Sequence, residues 1–425
     1  MGNALRRIPA ASAFARRLAA GMTIAVTLLG LAGHGLAGEG PARWTIGKPI
    51  VTYWAGPRLT DAVAEQLAEG GWNVVWASEE DLDVAARHGL RAQLQHALLR
   101  PESLDDPQRR TQLDALVDRV KNHPALYSYF LRDEPSAKDF PGLGRLVAYL
   151  RERDPAHLAY INLFPTYANN AQLGTEGDVV TAYREHLRLY MEIVKPDLVS
   201  YDHYQFRANG DGDQYFLNLA MIRETALRAG VPFLNIVQAC SWTPSMRVPN
   251  GDELRYLVYT SLAYGAEGIS YYVYCWPNHV GGMAEPDGTP TPLYHAARVL
   301  NRHFEAIAAE LQPLQSSAVY HAGKVPWGGV ALPDDSPVQV KPAGANQGAA
   351  KDGEGWLLGL FGPAGSEPTD VVVVNLDYRA ARTAEVRGSG AWEKFDPDAR
   401  TWTEAGRDAV RLDFPPGGGI LLRRK

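Results

Sequence analysis

The stretch ALYSYFLRDEP, Ala125 to Pro135, decides how the chain is read. Its aromatic and aliphatic run predicts a buried strand, Leu126 to Asp133. The run ends abruptly in two carboxylates, Asp133 and Glu134, and a proline. Pro135 disfavours the helical region for the residue before it, so Glu134 is expected to leave the strand extended. A helical pattern, Phe140 to Arg153, follows at once. Acidic residues at the C-terminal end of a barrel strand are placed for chemistry rather than packing.

Outward from this point, strand-like and helix-like segments alternate. The strands are expected at Pro49–Gly56, Trp72–Ser78, Leu90–Leu98, Leu126–Asp133, Leu158–Phe164, Asp197–Tyr204, Pro232–Ala239 and Gly268–Cys275. Helical patterns separate them, and a last one runs from Pro292 to Glu310. Such alternation implies a parallel sheet. Eight units over about 260 residues fit a (β/α)₈ TIM barrel. An open doubly wound sheet fits less well, because no Gly-rich phosphate loop follows the first strand.

After Pro313 the pattern changes to short β-rich runs separated by turns, which predicts a small C-terminal β-sandwich over 314–425. Within it Gln339 to Glu354 is polar and rich in Ala and Gly, and reads as a mobile loop. The N-terminus has its own character. Arg6, Arg7, Arg16 and Arg17 precede an apolar run from Met22 to Leu36, and Gly35-Leu36-Ala37 supplies small residues. Residues 1–37 therefore predict a cleaved signal peptide, with residues 38–313 as the barrel and a secreted or periplasmic destination. The apolar run is short and broken by Gly and His, so it spans a membrane poorly.

With those four arginines removed, the remainder carries about ten more acidic than basic residues. That argues against nucleic acid or an anionic membrane as partner. The 10 Trp and 20 Tyr are either large cores or platforms for sugar rings; composition does not separate the two. The two cysteines, Cys240 and Cys275, end adjacent strands, which leaves a disulfide open.

The residues at the predicted strand ends form one inventory. They are Tyr53 and Trp54; Gln95 and His96; Arg132, Asp133 and Glu134; Asn162; Asp202, His203 and Tyr204; Gln238 with Trp242 beyond; and Tyr272, Tyr274 and Trp276. Aromatic walls, amides and carboxylates suit a carbohydrate substrate. Glycosidic cleavage needs a protonated carboxyl to donate to the leaving oxygen and a second group against the oxocarbenium-like transition state. No cofactor or metal is called for. His96, His203 and Asp202 are of ligand type, yet their spacing does not demand an ion. The run Asn209 to Asp213 alternates oxygen ligands, but its twelfth position is Ala220, so a polar turn is expected.

This layout resembles the (β/α)₈ glycoside hydrolases, in particular the clan whose acid/base Glu follows strand four in an Asn-Glu-Pro motif, here Asp133-Glu134-Pro135. The segment Gly288 to Tyr294, Asn301 and Leu311, with the closing Pro416-Gly-Gly-Gly-Ile-Leu-Leu422, is similar to family-42-type β-galactosidases and their relatives. The resemblance implies a glycoside hydrolase with Glu134 as general acid. It also implies a nucleophilic Glu at the end of strand seven, where this chain has Gln238, and an Asn where it has Asp133. Three arrangements stay open. Glu134 works across a wide gap with Asp202, giving inversion; Asp133 and Glu134 act as in substrate-assisted hexosaminidases on a 2-acetamido sugar; or the barrel binds carbohydrate without chemistry. The sugar, the linkage and the oligomeric state are not readable.

Overall fold

β-Branched and aromatic runs form eight strands, each closed by a turn and a helix. The computed structural model describes residues 43–343 and 355–425; the expected signal peptide, 1–37, lies outside the described residues. The strands are β1 Ile50–Trp54, β2 Val74–Ala77, β3 Arg91–Leu94, β4 Leu126–Asp133, β5 Leu158–Leu163, β6 Val199–His203, β7 Phe233–Gln238 and β8 Gly268–Tyr272. The helices are α1 Asp61–Glu69, α2 Leu82–Arg87, α3 Pro107–Val120, α4 Phe140–Arg153, α5 Asn170–Leu173, α6 Val179–Leu189, α7 Tyr215–Ala229, α8 Gly251–Ala263 and α9 Pro292–Leu311. All eight strands are parallel, in the order β1-β8-β7-β6-β5-β4-β3-β2.

The seam between β1 and β2 is joined largely by side chains. Asn73 accepts from Val51 N at 3.1 Å and donates to Pro49 O at 2.9 Å. Trp72 and Trp76 donate to Thr52 O at 3.2 Å and Tyr53 O at 2.6 Å.

The period of two sorts the barrel side chains. Ile50, Val74, Leu158, Tyr160, Leu234 and Ile236 fill the interior. Val51, Tyr53, Val75, Leu94, Tyr129, Ile161, Tyr201 and Tyr271 face the helices. One irregularity matters for function. On β4, Phe130 pairs with Tyr160 while Arg132, two residues on, pairs with the next residue, Ile161. This bulge inverts the alternation beyond it. Asp133, opposite inward-facing Asn162, comes inside, and Arg132 goes outside.

The C-terminal part is one antiparallel sheet of seven strands: β9 Gln315–Ala322, β10 Gln339–Pro342, β11 Trp356–Gly362, β12 Asp370–Asn375, β13 Arg382–Asp396, β14 Thr401–Phe414 and β15 Gly419–Arg424. The order is β9-β11-β12-β15-β13-β10, with β14 on β13. The expected two-sheet sandwich is thus one sheet. The reason is β13, a continuous strand where the sequence reads as two separate β runs, Thr383–Arg387 and Trp392–Asp396. It carries register shifts between Arg387 and Glu393 and pairs with β10, β14 and β15. One face encloses its own core around Trp356, Leu358, Val373 and Trp392. The other, with Leu357, Phe361, Val372 and Leu421, joins the barrel's core. A side chain at Gly359 would meet the Ala263 carbonyl at 2.0 Å, so only glycine lets β11 approach α8 this closely. Gln339–Pro342, expected within a mobile loop, is a strand; the rest of that loop, 344–354, lies outside the described residues. Among the described residues no helix is long and apolar enough to cross a membrane.

Candidate active site

The C-terminal ends of β4, β5 and β6 bring three carboxylates together around one amide. Asn162, buried near the end of β5, donates from Nδ2 to Asp133 Oδ1 at 3.1 Å and to Asp202 Oδ1 at 2.8 Å. Its Oδ1 accepts from Ser200 Oγ at 3.0 Å, and Ser200 meets the Tyr160 hydroxyl at 2.8 Å. Both donor hydrogens and the acceptor of Asn162 are therefore used, which fixes the amide and the two carboxylates it holds.

Glu134 completes the group. Its N–H donates to Asn162 O at 2.9 Å, continuing the ladder one residue past the strand. Its backbone is left-handed, with φ 43°, not extended as expected. Pro135 disfavours only the right-handed helical region, and the left-handed turn brings the carboxyl into hydrogen-bonding contact with Asp202. A non-glycine residue at such a φ costs about 1–3 kcal/mol and is found at functional sites.

Burial sets the proton inventory. Glu134 is pushed up to about 7, first by burial and then by the charge of Asp133, with the Asp202 hydrogen bond pulling the other way. Asp202 is held well above the carboxylate range by burial, then by the charges of Glu134 and Asp133. Asp133 is also raised, by burial, against the Asn162 hydrogen bond and the charge of Arg132. Asp133 is also exposed on one side, where it lines an open cleft that water reaches. The arrangement holds at least one proton on the Glu134–Asp202 pair near neutral pH.

The cleft has a volume of about 500 Å³ and is lined by Trp54, Arg58, Trp76, Asp81, Gln95, Phe130, Asp133, Tyr272 and Trp276, among others. Two aromatic groups flank the carboxylates. On one side Trp54, Trp76 and Phe130 meet edge to face at 4.8–5.8 Å between centroids. On the other, Tyr204, Trp242 and Tyr272 lie 4.9–5.0 Å apart, and the Tyr272 hydroxyl meets His279 Nε2 at 3.1 Å. Trp276, 49 % exposed, stands at the cleft edge.

Several expected site residues lie elsewhere. Tyr53 has outward parity and packs against Tyr274 at 5.1 Å; both are buried in the outer core, where Tyr274 bonds Gln66. His203 also points outward; it is buried, and its Nδ1 meets Asn218 Oδ1 of α7 at 2.9 Å. His96 turns toward Glu79, just before α2, and Arg119, in the last turn of α3, and accepts from Leu98 N. Among the described residues no cluster of His, Cys, Asp and Glu could hold a metal ion. Arg132 is outside the barrel because of the β4 bulge.

Gln238 ends β7 facing inward, but its side chain is spent. It accepts from Phe206 N at 2.8 Å and donates to Phe206 O, Arg247 O and Cys240 O. It clips the loop after β6 to the loop after β7. Cys240 and Cys275 are free thiols; Cys240 is buried in a two-residue ribbon against Gly281, with no disulfide. In the Asn209–Asp213 turn, Asp211 takes Arg247 and the Tyr378 hydroxyl.

Sequence reasoning missed Trp76, Phe130, Tyr167 and His279. Trp76 and Phe130 sit one inward step below the strand ends, so the same alternation would have found them. Tyr167 follows β5 in a loop; its hydroxyl is near Asp202 and Glu134 and accepts from Tyr204 N at 3.3 Å. Only an aromatic residue close to Pro165 hinted at it.

No family model matches the chain, and no curated protein matches it. Among solved structures, the chain is similar to a β-galactosidase from the Antarctic haloarchaeon Halorubrum lacusprofundi, with TM-score 0.45 and 11% identity over 88% of this chain and 99% of that one. It is similar to a β-galactosidase from the psychrophilic Marinomonas ef1, with TM-score 0.43 and 12% identity over 61% of this chain and 60% of that one. Xylanase 10B from Thermotoga maritima gives 0.42 and 12% over 62% and 97%. The chain thus spans less than two thirds of the Marinomonas enzyme.

Proposed function

We propose that the barrel mouth hydrolyses O-glycosidic bonds, with Glu134 as general acid, and that the protein acts outside the cytoplasm once residues 1–37 are removed. The observation that carries this reading is the Glu134–Asp202 pair, protonated near neutrality, beside a cleft-facing Asp133 and between two aromatic walls. Glu134 donates its proton to the leaving oxygen. Asp202 shares that proton beforehand and keeps Glu134 oriented. Asp133 faces the sugar and sets negative charge against the oxocarbenium-like centre.

The closeness of Glu134 and Asp202 favours another partner than Asp202 across a wide gap. Inverting pairs stand about 6.5–9.5 Å apart and retaining pairs about 5–5.5 Å, whereas Glu134 and Asp202 share a hydrogen bond. This supports Asp133 as the partner in the reading proposed. A second reading has its own support: with Gln238 committed to the backbone, no carboxylate stands at the end of β7. Asp133 would then orient a 2-acetamido group that serves as internal nucleophile.

A screen of nitrophenyl glycosides against wild type and Glu134→Gln tests the assignment. Glu134→Gln is expected to abolish turnover while sugar binding persists; unchanged turnover removes Glu134 from the chemistry. Activity confined to 2-acetamido sugars selects the substrate-assisted route, and product anomers read by NMR distinguish retention from inversion.

A further inference from the structure

The bulge that turns Asp133 into the cleft turns Arg132 out, and what it meets there is unused positive charge. Arg132 lines a hollow of about 270 Å³ with Arg100, Lys138 and Arg145, closed by Pro101, Leu131, Gly142 and Leu143. The hollow lies between the loop after β3 and the first turns of α4, on the same end of the barrel as the carboxylates. Consecutive residues lie about 3.8 Å apart, so the backbone of Arg132 is one step from that of Asp133.

The lining also carries three carboxylates. Asp105 is taken by Arg145, at 2.6 and 3.1 Å, and Asp139 accepts from Ser136 N at 3.0 Å. Glu102, also in the lining, has no ion-pair partner among the described residues. Among the described residues the side chains of Arg100, Arg132 and Lys138 make neither an ion pair nor a hydrogen bond. Most arginines of this acidic chain are spent on carboxylates, as in Arg119–Glu79 and Arg87–Asp61. Two free guanidinium forks and one ammonium around a concavity suit a carboxylate or sulfate.

We propose that this hollow is an anion subsite, which takes a carboxylate or sulfate carried on a sugar unit next to the one held over Asp133. The substrate class is then an acidic glycan. This deepens the glycosidase reading and rests on it for the direction of the chain, which leaves the cleft over the β3 and β4 loops. The anionic group is held outside the cleft, where it does not add to the charge already crowding Glu134.

The test is affinity electrophoresis of the full-length Glu134→Gln protein through gels holding polygalacturonate, dextran sulfate or neutral dextran. Binding is read without turnover, so a failure of the hydrolysis reading does not mask it. The expected result is retardation by at least one polyanion and none by dextran. Adding Arg132→Gln and Lys138→Gln should weaken it at least fivefold. Lys324→Gln, which removes an exposed cation elsewhere, should leave it unchanged. Retardation by polygalacturonate identifies a carboxylate ligand, and by dextran sulfate alone a sulfate. No retardation by either polyanion, or retardation that survives the double substitution, overturns the subsite.

Discussion

The ends of β4 and β7 both carry polar side chains to the barrel mouth and differ in what those side chains have left to do. At β7, Gln238 faces the barrel interior, buried, and every hydrogen-bonding group it has is engaged by backbone. At β4, Glu134 and Asp133 face the same mouth with carboxyl oxygens that no backbone N–H satisfies among the described residues, and burial raises both, Glu134 to about 7. A buried polar side chain that is fully satisfied holds loops together. One that is desolvated, crowded by like charge and open to a cleft is poised to move a proton. Under the proposed function, the difference separates a structural position from a chemical one where strand-end counting treats the two as equivalent.

The largest effect expected is at β4. Glu134→Gln keeps shape and hydrogen bonding but removes the proton, and kcat should fall about 10²–10⁴-fold, the usual contribution of general acid catalysis. Steady-state rates on the best nitrophenyl glycoside measure it; a loss under tenfold would make the two strand ends chemically alike. At β7 the matching change is Gln238→Glu, which restores the carboxylate implied by the family resemblance. It would set that carboxylate against the carbonyls of Phe206, Cys240 and Arg247, which now accept from the amide. We expect about 3–5 kcal/mol of lost stability by denaturant unfolding and no gain in rate. A stable, faster Gln238→Glu enzyme would mean the β7 end is a vacated nucleophile position.

How far the sequence went follows the same division. β4 and α4 have the observed bounds, because a strand ending in carboxylates and a helix closed at Asp154-Pro155 are marked by local chemistry. Trp54, Asn162, Asp202, Tyr204 and Tyr272 fall inside the mouth because strand parity is local too. What was not legible depends on pairing between strands. The bulge beyond Phe130 leaves no mark in composition, yet it exchanges Arg132 for Asp133 in the interior. The demands of Phe206 and Arg247 on Gln238 are made by loops that meet it only in three dimensions. The two-strand reading of β13 failed because Gly388 and Gly390 look like a turn, while the strand runs through them with shifts of register.

The third prediction concerns the like charge at β4. Asp133 helps raise Glu134, so Asp133→Asn should lower the Glu134 pKa from about 7. The general acid must be protonated, so activity falls as pH rises through that pKa. In Asp133→Asn this alkaline limb of kcat/KM should move down by about one unit, on top of any loss of rate. An unmoved limb would assign the limb to a group other than Glu134.

The smallest effect is on stability, and its sign is fixed by the direction of the shift. Glu134 titrates near 4.5 unfolded and about 7 folded. Between those values the folded state holds the extra proton. The stability it contributes is therefore full below about 4.5 and is lost as pH rises through 7. Asp133 and Asp202 are raised as well and act in the same direction. Glu134→Gln removes one titration and relieves the charge on the other two. Its Tm should therefore decline less than that of the wild type between pH 5 and pH 8, and should exceed it at pH 8. Gln238→Ala, which changes no charge, should lower Tm by a similar amount at both pH values. If instead Gln238→Ala alters the pH slope and Glu134→Gln does not, the proton inventory belongs to β7 and the contrast between the two strand ends is reversed.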